Sequence, residues 1–301
     1  MLETTRIRLA LLAGLVGVTF VIAACNQGGS GETADADIQA GRENVDAMSR
    51  EHADDTDAAS GAAETAPTRA VDSETLPYAD VDNELVYGYL AYPSGVTEPP
   101  PAVLMIHEWW GLNDNIRAMA NRLAAEGYMV LAVDLYDGQT ASTPEEARVR
   151  MLDVVENPEP AQENIRQALE FLGITEAPAV AAIGWGFGGG WSLNTALMFP
   201  EQIDAGVIYY GQVTADEDRL RELDAPILGI FAAEDRGIEI ESVNAFEEAL
   251  QRLRKDHEIH IYDGVGHAFE NPTGNNYSAE AAEDAWERTI SFLELHLQPE
   301  G

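Results

Sequence analysis

From residue 83 onward the chain alternates between short apolar runs and longer stretches in which apolar residues return every three or four positions. The runs NELVYGYLAYP (83–93), PAVLMIHEW (101–109), YMVLAVD (128–134), APAVAAIGW (177–185), AGVIYYG (205–211), PILGIFAAED (226–235) and HEIHIYDG (257–264) read as strands, the first as part of a hairpin. Between them, residues 113–126 carry Ile116, Met119, Ala120 and Leu123 on one helical face and end at Gly127. Further helices are predicted near 144–155, 160–172, from the glycine run to about Phe199, at 243–255 and at 279–297. Strands that alternate with helices imply a mostly parallel, doubly wound sheet covered by helices on both faces.

The first 75 residues follow another logic. Arg6 and Arg8 precede LALLAGLVGVTFVIAAC, a charged start followed by an apolar stretch, which reads as an export signal. That stretch falls short of the roughly 20 residues a spanning helix needs. Its end, Ile22-Ala23-Ala24-Cys25, resembles a bacterial lipobox. The resemblance implies removal of residues 1–24, lipid attachment at Cys25 and anchoring in the cell envelope. Asn26 after the cysteine points to the outer membrane. Residues 25–75 are rich in Gly, Ala, Ser, Thr and acids and poor in large apolar side chains, so they are expected to be a disordered acidic tether. The folded domain is then expected over 76–301.

Charge and cysteine content narrow the partners. The net charge is -36, from 53 acidic and 17 basic residues. Nucleic acid and anionic lipid surfaces both call for an excess of Lys and Arg, and here acids outnumber them. The one cysteine excludes an internal disulfide and a cysteine-based metal site.

The glycine run, GWGFGGG (184–190), sits between a predicted strand and a predicted helix. That is the place of a nucleophile elbow, G-x-nucleophile-x-G, in an α/β-hydrolase fold. The nucleophile position is Gly186. Asp235 at the end of PILGIFAAED is the candidate acid, and His267 in DGVGHAF the candidate base, in the chain order this fold uses. Ser192 and Thr195, further along the helix, read as ordinary helix residues. The run also fits G-x-G-x-x-G, but too late in the chain for a dinucleotide site, and it lacks a phosphate-loop lysine. No metal or other cofactor is implied.

The motifs HEWWGLN, RLAAEGY, VLAVDLY, the elbow, AAEDRGI and YDGVGHAFENP, with the closing AEDAWERTISFLELHL, resemble the dienelactone hydrolase family over nearly all of 76–301. The resemblance implies an ester or lactone as small-molecule substrate. It implies that Glu108 lies against the nucleophile and that the backbone N–H groups of Trp109 and Phe187 face the oxyanion. It also implies that the nucleophile is a cysteine where this chain has Gly186. Family members acting on dienelactone carry an arginine four residues after the histidine, where this chain has Asn271. Arg148 or Arg150 could replace that cation. Trp110, Tyr136, Trp185 and Phe269, with Trp109, could line an apolar pocket. Three readings of the empty position stay open: a protein without covalent catalysis that binds a small ligand or an envelope partner, hydrolysis by water activated at His267, and a recent or engineered loss of the nucleophile.

Overall fold

The computed structural model describes residues 31–53, 55 and 67–297. Cys25 and the apolar run before it lie outside the described residues. Among the described residues, eight strands form one sheet in the order β1-β2-β4-β3-β5-β6-β7-β8. Strands β1 (Val71–Val81) and β2 (Glu84–Pro93) form an antiparallel hairpin. Its turn residues Asp82 and Asn83 both have positive φ, which short polar side chains tolerate. Strand β2 joins β4 (Met129–Val133) antiparallel, and from there the sheet is parallel through β3 (Ala102–Ile106), β5 (Val180–Trp185), β6 (Ala205–Tyr209), β7 (Ile227–Ala232) and β8 (His257–Tyr262). Strands β3, β4, β6 and β7 are buried along their whole length, as their unbroken apolar runs require.

The helices are α1 (Gly31–Glu51), α2 (Asp114–Ala125), α3 (Pro144–Glu156), α4 (Pro158–Ile174), α5 (Phe187–Met198), the single turn α6 (Glu217–Leu220), α7 (Ile240–Leu253) and α8 (Ala279–Leu297). Helices α2 and α8 share one core with one face of the sheet; α3, α4, α5 and α7 share another with the opposite face. This is the doubly wound, mostly parallel α/β architecture that the sequence predicts. Local chemistry sets its starts and stops. Asn113 caps α2 by accepting from Ile116 N at 3.2 Å, and Thr143 caps α3, with Pro144 at the first helical position.

The expected disordered tether is corrected over residues 31–53, which form α1 and its end. Ile38, Gly41, Val45, Met48 and His52 recur at steps of three and four, a helical stripe that an acidic, small-residue composition conceals. Val45 and Met48 are fully buried, and each such burial contributes about 1.5–3 kcal/mol. Gly41 lets α1 approach α3, because a Cβ there would come within 2.5 Å of Val155 Cγ1. Arg148 pairs with Asp46 at 2.7 Å, and Arg42 with Glu156 at 2.7 Å, across the same contact. Arg148 is thus occupied holding α1. The domain also begins earlier than residue 76, since β1 starts at Val71.

Candidate active site

The strand order reverses between β4 and β5 on either side of β3, and the carboxyl ends there open a crevice. Three segments converge on it. The chain leaves β5 at Gly186 with φ 53° and ψ -111°, then enters α5 at Phe187. Only glycine holds this backbone without strain. Asp235 follows β7, and His267 follows β8.

Asp235 and His267 meet as the sequence predicts. His267 Nδ1 lies 2.7 Å from Asp235 Oδ2, with both side chains 1% exposed. The other carboxylate oxygen, Oδ1, accepts from the N–H groups of Gly237 and Ile238, each at 2.8 Å. A carboxylate so held accepts a hydrogen bond from Nδ1–H and leaves Nε2 as the free base position. His267 Nε2 is buried and has no hydrogen-bond partner among the described residues. A Cβ at residue 186 would stand 3.6 Å from it, with nothing else within 4 Å. The elbow therefore faces the imidazole across open space.

Phe187 N–H is the first of α5, where the helix offers no acceptor and carries partial positive charge. On the other side, the chain after β3 is pinned by His107. Its Nδ1–H donates to Glu108 O at 2.6 Å, and its Nε2 accepts from Leu135 N at 3.1 Å. Burial holds this imidazole below its ordinary pKa, so it is a neutral strut for the loop carrying Glu108 and Trp109. Sequence reading gave His107 no role.

Glu108 borders a cavity of about 550 Å³ between α2 and α8, with Trp185, Glu270 and Asn271 on its wall. Asn271 Nδ2 donates to Glu108 Oε2 at 3.4 Å. Enclosure pushes the Glu108 carboxyl up to about 7, with His267 pulling it down and Asp55 pushing it up. Glu270 goes up to about 8, first from burial and then from the like charge of Glu108. Of the pocket candidates, Trp185 and Asn271 line this cavity. Trp110 and Phe269 are instead packed in the core, 1% and 0% exposed, and Tyr136 packs between His107 and Phe187. Ser192 donates to Ala182 O at 3.0 Å and Thr195 to Trp191 O at 2.7 Å, the ordinary helix roles predicted for both.

A pH prediction follows from the two glutamates. Their pKa values lie above the ordinary 4.5, so the folded chain keeps protons that the unfolded chain releases. The stability they contribute is complete below about 4.5 and is lost as pH rises through about 7 and 8. Glu270→Gln is neutral throughout. It should melt near the parent at pH 5 and several degrees above it at pH 9; parallel melting curves across that range would refute the assignment.

A second groove, about 680 Å³, runs between α1, α3 and α5 and ends at Gly186 and Phe187. Ile38, Gly41, Met151, Val155, Trp191 and Leu197 line it. From the end of α1 comes a site residue that composition hid. His52 is 6% exposed, stacks on Trp109 at 4.6 Å and stands edge-on to His267 at 5.1 Å between ring centroids. The helical stripe ending at His52 was the available signal. Among the described residues no cluster of three or more His, Cys, Asp or Glu is placed to hold a metal ion.

Residues 86–297 match the dienelactone hydrolase family. A putative carboxymethylenebutenolidase of Saccharolobus solfataricus is 32% identical over 253 residues, covering 72% of this chain and 96% of the relative. The crystal structure of a putative dienelactone hydrolase from Klebsiella pneumoniae superposes with a TM-score of 0.62 at 25% identity, covering 75% of this chain and 99% of that one. A dienelactone hydrolase-like promiscuous phosphotriesterase from metagenomic libraries shares the fold with a TM-score of 0.69 at 22% identity, covering 76% and 100%.

Proposed function

The chain belongs to the dienelactone hydrolase family, an esterase-like hydrolase fold, and we propose that it hydrolyses carboxylic esters or lactones by direct attack of water activated at His267. One observation carries this reading. His267 Nε2 is buried, unpartnered among the described residues and turned toward the side-chain position that Gly186 leaves open. The family's cysteine position, carried over from the motif, is Gly186, so no acyl-enzyme forms there.

His267 Nε2 takes a proton from water as the water oxygen bonds to the ester carbonyl carbon. The oxyanion faces the N–H groups of Trp109 and Phe187, which are fixed before reaction and need no reorganisation. Asp235 stabilises the imidazolium. Collapse breaks the bond to the leaving alkoxide, which recovers the proton from His267. Glu108, protonated over part of the neutral range, keeps a second negative charge away from the developing oxyanion. Such a general base contributes about 10²–10⁴-fold. Turnover of p-nitrophenyl acetate should therefore fall at least about 10²-fold in folded His267→Ala. A parent without turnover, or a variant that keeps it, overturns the reading.

The tether to the envelope is also proposed, on the strength of the lipobox-like IAAC. Incorporation of a labelled fatty acid should be lost in Cys25→Ala; unchanged labelling would remove the anchor.

A further inference from the structure

We propose that the N-terminal segment completes this site: His52, held by Asp55, is a second acceptor for the attacking water. The inference rests on the water mechanism above. His52 and Asp55 both precede residues 86–297, which the family match covers.

The structure places two His–Asp pairs side by side. His52 Nδ1 lies 2.8 Å from Asp55 Oδ2, with both side chains 8% exposed. The Asp55 carboxylate also accepts from Asn275 N and Nδ2, each at 3.4 Å, which ties the segment to the loop after His267. The His52 ring stacks on Trp109, the proposed oxyanion donor, and meets the His267 ring edge-on at 82°. Burial holds His52 below its ordinary pKa, ahead of the opposing pull of its bond to Asp55. Neutral and donating Nδ1–H to Asp55, it has its lone pair on Nε2.

A covalent nucleophile is positioned by its own backbone; a water is not. Two fixed acceptors assign both O–H bonds of one water, to His267 Nε2 and His52 Nε2, and leave an oxygen lone pair for the carbonyl carbon. One O–H bond breaks, the proton goes to His267 and later to the leaving alkoxide. The other proton stays on the new carboxylic acid until that ionises. His52 thus orients without a net change of charge. Holding the attacking atom in line is worth roughly 10- to 100-fold here.

The plain alternative is that the pair only fastens α1. The pH dependence of kcat/KM separates the two. The groups that face His52 are Asp55 on its own segment, His267 and Asp235 beyond β8 and β7, and Glu108, which acts on Asp55 and His267. Glu108 titrates in parent and variant alike, so the readout is the difference between them. With p-nitrophenyl acetate, the full chain should need one more deprotonation on its acid limb than His52→Gln. His52→Phe, which keeps a flat ring on Trp109 but accepts nothing, should lose roughly 10- to 100-fold in kcat. His52→Gln, whose amide oxygen still accepts, should recover part of it. Acid limbs of equal steepness, with kcat falling only as far as the folded fraction, would overturn this inference and leave the His267 mechanism standing. A parent without turnover would overturn both.

Discussion

Gly186→Cys is expected to convert the protein into a thiol-dependent esterase, faster than the parent by about 10³-fold or more. The space is present, since a Cβ there meets only His267 Nε2, at 3.6 Å. The activating groups are present too. His267 is ordered by Asp235, and the N-terminus of α5 lowers the pKa of a thiol placed before it. The backbone at φ 53° strains any residue with a side chain, at a cost of about 1–3 kcal/mol. The fold tolerates that cost if it is otherwise of ordinary stability. A burst of p-nitrophenolate followed by slower turnover, both abolished by iodoacetamide, would identify the acyl-enzyme. A folded variant with no thiol-dependent activity would show that the rest of the site is not arranged for acyl transfer.

The second large effect concerns stability. A Cβ at Gly188 would meet Ile106 O at 2.2 Å and His107 O at 2.5 Å, both rigid backbone at the end of β3. Helix α5 would have to lift off the strand, taking the Phe187 N–H and the turn at Gly186 with it. Gly188→Ala should therefore cost about 4 kcal/mol or more, at the extreme of single substitutions. Gly190 is the internal control. A Cβ there finds its closest neighbour, Gln212 N, at 3.4 Å, an ordinary contact. Gly190→Ala should be neutral or gain up to about 1 kcal/mol from helix propensity. Urea unfolding of the two variants gives the comparison, and equal midpoints would mean that close packing is not why this run is glycine.

These two glycines show why the catalytic half of the site was legible in the chain. A strand end, a turn with forced conformation and a helix start each leave a local residue signature. Asp235 and His267 stand three and five residues beyond strands that their own apolar runs announce. Glu270 was legible only as an acid near the histidine. Its burial depends on α2 and α8, which reach it from distant parts of the chain. The N-terminal elements were hidden for a different reason. Composition averages over a window, and α1 puts only a few anchoring residues on one stripe among acids and alanines. Strand β1 carries Pro77, beside a shift in its register with β2, and few apolar residues before Leu76. Each needs the finished sheet or the α3 surface to become stable, so neither announces itself locally. One pocket tryptophan failed in the opposite direction. Trp110 is large and apolar, but its burial against Trp109 makes it structural.

Docking of α1 also changes how far the site stands from its proposed anchor. A free tether through residue 75 could let the domain roam tens of ångströms from a bilayer. With α1 seated against α3, Cys25 is six residue steps from Gly31, a chain length of at most about 20 Å. A lipid at Cys25 would therefore hold the domain near the headgroup layer. Substrate would be sampled from the lipid–water boundary, where esters with apolar chains concentrate, more than from bulk solution.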